Sequence, residues 1–113
     1  MATSKNYVTY IEDVLRHVPN IRVKAMFGEY AIYCNELVVG SVCDDTVFIK
    51  ITDGTRELFD AQTKTAPPYP GAKPNFVVSE DVLEDKDLIK QIVIACSKDI
   101  SAKVKPTKPN RRK

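Results

Sequence analysis

The chain has 113 residues, enough for one domain whose folding removes roughly two thirds of the unfolded surface from water, and too few for two cores. Apolar residues at 43% and charged residues at 28% are ordinary for a soluble globular protein, and no apolar run approaches the ~20 residues that span a bilayer. The net charge of +2 conceals a split: residues 1–102 hold 11 basic and 15 acidic side chains, a balance of −4, and residues 103–113 hold six basic and no acidic ones. With no hydrophobic signal core in MATSKNY, a cytoplasmic location is expected.

Residues 5–18 predict an amphipathic helix, with Tyr7, Val8, Ile11, Val14, Leu15 and Val18 at three- and four-residue spacing. Ser4 is its expected N-cap, Pro19-Asn20 its stop, and His17 a solvated residue of its last turn. Val23 to Ile51 then reads as four antiparallel strands. Runs of Val, Ile, Tyr, Phe and Cys are broken only by Gly28-Glu29, Asn35-Glu36 and Asp44-Asp45, where two-residue loops belong.

That register sets Cys34 against Leu37, Ile32 against Val39 and Tyr30 against Ser41. One face is then almost wholly apolar (Ala31, Tyr33, Val38, Gly40, Val42, Val47, Ile49, Ile51) and needs a cover of helices. The other carries Tyr30, Ile32, Leu37, Val39 and Phe48 beside Cys34, Cys43 and Lys50, too apolar for an open face. Those five residues are the candidate partner surface, with the stiff Pro67 to Pro74 loop as its rim and a protein partner or a second copy as its occupant. Cys34 and Cys43 fall roughly 20 Å apart at strand rise, so they do not pair with each other.

After the meander, Thr55 is a candidate cap for a short helix that turns Leu58 and Phe59 inward. Residues 75–79 read as a fifth strand. A last helix starts near Asp85 with Leu88, Ile89, Ile92, Val93, Cys96 and Ile100 as its apolar stripe. The domain is expected to span residues 1–102, and KVKPTKPNRRK to be a disordered basic tail. Lys103, Lys105, Lys108, Arg111, Arg112 and Lys113 make that tail a candidate for weak, sequence-independent contact with nucleic acid.

No glycine-rich phosphate loop, HExxH motif or nucleophile–histidine signature is present, and His17 is the only histidine. Asp44-Asp45 reads as a solvated turn and not as an acid–base pair. The three cysteines lack metal-ligand spacing. The expectation is therefore a chain without enzymatic activity, metal, cofactor or small-molecule substrate.

Met26-Phe27-Gly28 before a tyrosine-rich hairpin, the stretch from Val39 to Lys50 and the APPYPGAKP loop at 66–74 occur in the order that resembles the N-terminal domain of the TfoX/Sxy family. The resemblance implies an α+β domain akin to secretion-chaperone folds: about four meander strands and a fifth, covered by N- and C-terminal helices. It also implies a regulatory role, since full-length members govern natural DNA-uptake competence and carry a second helical domain. In this chain the basic segment stands where that second domain would start.

Overall fold

A computed structural model of the chain describes residues 4–26 and 29–104, with side chains through residue 102. Helix α1 (Lys5–Val14) begins at Ser4, whose hydroxyl accepts the Tyr7 N–H at 3.1 Å. The helix ends four residues earlier than its apolar spacing suggests. Ahead of Pro19 the chain tightens into three-residue bonds, Arg16 N–H to Asp13 and Val18 N–H to Leu15. Leu15 and Val18 nonetheless stay buried.

Strands β1 (Ile21–Met26), β2 (Glu29–Cys34), β3 (Leu37–Cys43) and β4 (Thr46–Ile49) form the expected meander. Its two described hairpin loops hold Asn35, Glu36, Asp44 and Asp45 at φ between 51° and 65°. Both residues of each loop are left-handed, the conformation whose twist suits a two-residue hairpin, here reached without glycine. The fifth expected strand is β6 (Asn75–Val78). Two elements escaped the sequence reading: the two-residue strand β5 (Thr65–Ala66) and the helix α3 (Glu80–Glu84), capped by Ser79. The sheet is antiparallel with order β1-β2-β3-β4-β6-β5.

The register corrects the assignment of faces. Cys34 opposes Leu37 and Tyr33 opposes Val38 as predicted, but a bulge between Ile32 and Tyr33 lets β3 gain one residue. Beyond it Ile32 opposes Gly40, Ala31 opposes Ser41 and Tyr30 opposes Val42. The covered face therefore joins Ile32, Cys34 and Val39 from one predicted set to Val42, Val47 and Ile49 from the other. Ala31 and Val38 go to the outer face.

Helix α4 (Lys86–Val104) lies across the covered face, burying Ile89, Ile92, Val93 and Cys96 with Ile11 and Leu15 of the N-terminal segment. The Cys96 thiol points at the Val39 carbonyl, 3.6 Å away. Helix α2 (Asp53–Leu58) is capped by Thr52, not Thr55. Thr55 occupies the third position and returns its own hydroxyl to the Thr52 N–H at 2.8 Å, a reciprocal capping box. The Gly54 N–H at this helix start donates to Asp99 of α4 at 2.7 Å, tying α2 to α4. Phe59 is buried against Phe76, ring centroids 4.3 Å apart. Residues 105–113, most of the predicted tail, lie outside the described residues.

Candidate protein-interaction surface

The outer face of the sheet carries a row that the register defines across five strands: Lys24, Ala31, Ser41, Phe48 and Val77. Small side chains at Ala31, Gly40 and Ser41 leave a depression in the middle of this row. The proline-rich segment passes beside it, and Pro68, Tyr69, Ala72 and Lys73 form the far wall of a hollow of about 360 Å³. A second hollow of about 540 Å³ adjoins it, lined by Glu29, Tyr30 and Cys43. Met26, Ser41 and Tyr69 border both.

Met26 is 40% exposed and Tyr69 60%, and these are the large apolar side chains left in solvent among the described residues. Isolated exposed apolar residues are unremarkable, but two at the lip of one depression make a patch. The first hollow is lined by Lys50 and Lys73 and by no carboxylate, whereas Glu29 lines the second. At the sheet edge, Arg22 meets Glu36 at 2.9 Å and stands 5.4 Å above the Tyr33 ring.

The predicted partner residues divide among three environments. Ile32 and Val39 are 0% exposed and belong to the core beneath the helices, so they offer no surface; the bulge is what put them there. Tyr30 is half-buried against the core and lines the second hollow, while Leu37 is half-buried beside Ser97, Lys98 and Ser101 of α4. Phe48 stays on the outer face but is only 7% exposed. The Pro67 to Pro74 loop does supply one rim. The sequence places Ser41 and Lys50 on this face but does not mark them as contacts, and it gives no signal for Met26; the one hint of the depression is Gly40-Ser41 interrupting a run of β-branched residues.

Titratable groups here serve structure. Burial pushes the thiols of Cys34, Cys43 and Cys96 up, that of Cys96 to about 12, away from the thiolate form that nucleophilic or metal chemistry uses. His17 donates through Nε2 to the Lys86 carbonyl at 2.8 Å, joining the N-terminal segment to the start of α4. The Asp45 carboxylate accepts the Ser4 N–H at 2.9 Å. Among the described residues no group of three His, Cys, Asp or Glu side chains is placed to hold a metal ion. No helix among them is long and apolar enough to cross a membrane. Of the predicted nucleic-acid contacts, Lys103 is on the last turn of α4, its side chain outside the described set, and Lys105, Lys108, Arg111, Arg112 and Lys113 lie beyond it.

Comparison with known proteins agrees with the architecture. The chain is 37% identical, across 96% of both sequences, to a protein of Spirochaeta aurantia described as an "uncharacterized 12.7 kDa protein in trpE 5' region". The family model for the TfoX N-terminal domain matches residues 13–100, from α1 into α4 and across the whole sheet. On that match, the chain belongs to the TfoX N-terminal domain family.

Proposed function

We propose that this domain is a non-enzymatic regulatory module that works in the cytoplasm by binding another protein through the outer sheet face. The observation that carries the reading is the pairing of Met26 and Tyr69, both exposed, at the lip of one depression between the sheet and the proline-rich segment. An apolar lip over a floor of small side chains suits insertion of a partner side chain, which buries area that is otherwise wet. Family membership supports a regulatory role. The competence pathway is the specific context that the TfoX family suggests.

The test is photocrosslinking in the source cell with benzoylphenylalanine at position 69, and at Glu57 on α2 as the control. A discrete adduct from position 69 alone is expected. No adduct from position 69, or equal adducts from both, overturns the reading.

A second reading is favoured by the charge split, −4 over residues 1–102 and +6 over 103–113. The basic segment then adds weak, sequence-independent attraction to nucleic acid, which concentrates the module near its target.

A further inference from the structure

Strand β1 is an edge of the sheet, paired with β2 and with no other strand among the described residues. The Asn35 N–H donates to the Asn20 carbonyl at 3.1 Å. Antiparallel bonding alternates from that pair, so the N–H and C=O groups of Ile21, Val23 and Ala25 turn away from β2. The two sides of this open edge differ in chemistry. On the outer face Arg22 and Lys24 are exposed. On the helix face Ile21 and Val23 pack against the core and, with Leu15, form the apolar part of a hollow of about 430 Å³ whose remaining lining is Glu12, Arg16 and Arg22.

We propose that β1 receives an extended segment of a partner protein as an additional strand, and that this segment alternates acidic with apolar side chains. The proposal rests on the interaction-module reading and adds the partner's chemistry. Main-chain bonds to the three outward residues supply affinity, acidic side chains meet Arg22 and Lys24, and the apolar alternates enter the hollow beside Ile21 and Val23.

A second copy is the poorer occupant. Antiparallel self-pairing centred on Val23 sets Arg22 against Lys24 twice, and centring on Lys24 sets the two lysines against each other. Cations on an edge strand are a common guard against self-pairing, and an acidic segment reverses the sign of the same contacts. Nucleic acid does not match a row of alternating donors and acceptors.

The probe is a fluorescein-labelled eight-residue peptide alternating glutamate and valine, titrated into the full chain at low salt. Amide hydrogen exchange is read at Ile21, Val23 and Ala25. At saturation these three amides are expected to slow about tenfold or more. Lys24→Glu should weaken the peptide about threefold to tenfold, and a lysine–valine peptide should recover that loss. Lys24→Ala, weakening binding less, stands in if the reversal perturbs the melt.

Unchanged exchange at the three amides overturns the proposal, as does equal binding of the lysine–valine peptide by the unaltered chain. Slowing of the same amides by chain concentration alone overturns it in favour of a second copy, and slowing by oligo(dT) in favour of nucleic acid. A crosslink at position 69 with no peptide effect removes the edge proposal and leaves the interaction module standing. Peptide binding without that crosslink supports the edge and removes the outer-face hollow.

Discussion

A β-carbon added to Gly40 would overlap the carbonyl oxygen of Phe48, because the β3 backbone at the bulge closes directly onto β4. The Ile49 Cδ1 stands 3.0 Å from the same point. Backbone cannot rotate aside as a side chain can, so Gly40→Ala has to spread the strand pair that carries the covered face. The expected loss is about 2 to 3 kcal/mol, a fall in Tm of roughly 10 °C, read by thermal melting. An unchanged melt would mean that the bulge is not where the register places it.

The hairpin loops point the other way. Glu36 sits at φ 65°, a left-handed conformation that disfavours a side chain such as glutamate and that glycine adopts freely. Its pair with Arg22 is well exposed on both sides and contributes little. Glu36→Gly should therefore stabilise the chain by about 0.5 to 1 kcal/mol. Asp45→Gly relieves the same kind of backbone but loses the carboxylate that accepts the Ser4 N–H, so its gain should be smaller. Denaturant midpoints rank the two, and a destabilised Glu36→Gly would contradict the loop assignment.

What could be read from the residues is tied to what is local. Asn35-Glu36 and Asp44-Asp45 interrupt apolar runs so sharply that both hairpins followed, and the spacing of Leu88, Ile89, Ile92, Val93 and Cys96 marks the buried stripe of α4 directly. The bulge was not legible, because LVVGSVC keeps the same strand character whether or not one residue is inserted, and only Gly40 hinted at the close approach. One inserted residue exchanges the faces downstream, which is why Ile32 and Val39 went from expected surface to core and Ala31 and Val38 from the expected covered face to the outer one, while Ser41 and Phe48 stayed outside. The patch of Met26 and Tyr69 joins residues 43 positions apart, and no periodic pattern reports that.

Buried acids that are neutral when folded give stability an alkaline limb. Burial, ahead of any charge effect, pushes the Cys96 thiol and the Tyr7 phenol each to about 12; Glu80 adds to the rise at Tyr7, and Lys50 partly opposes the rise at Cys96. Above the ordinary thiol range the folded chain then holds more protons than the unfolded one. The contribution is whole below that range and is lost as pH rises toward 12. Tm should fall progressively above about pH 9, and Cys96→Ala should make the fall shallower while costing about 1 to 2 kcal/mol at neutral pH. An alkaline limb of unchanged slope in that variant would assign the effect to other groups.

Helix α4 runs to Val104, so a deletion confined to residues 105–113 leaves the described domain whole while removing five of the six cations beyond residue 102. If the segment contacts duplex DNA with all six charges, log affinity against log salt should have a slope of about −5, and partial engagement a smaller one. The deletion should abolish binding with no change in the melt. Sequence-specific binding that persists after the deletion would move the reader into the acidic body.

Phe48 and Tyr69 both belong to the outer side of the sheet, yet they differ in what a charge there would do. Phe48 is 7% exposed and lies between Ser41 and Val77 in the cross-strand row, so Phe48→Glu must bury a carboxylate or break the sheet surface around it. The expected loss is about 3 kcal/mol or more, visible as a large fall in Tm. Tyr69 is 60% exposed on the loop wall, and Tyr69→Glu should leave the melt within about 0.5 kcal/mol of the unaltered chain while removing the apolar lip of the depression. The pair of melts separates a side chain that holds the sheet from one that is free to serve a partner. If Tyr69→Glu destabilised the chain as strongly as Phe48→Glu, the proline-rich loop would be part of the core packing, and the exposed patch would lose its standing as an interaction surface.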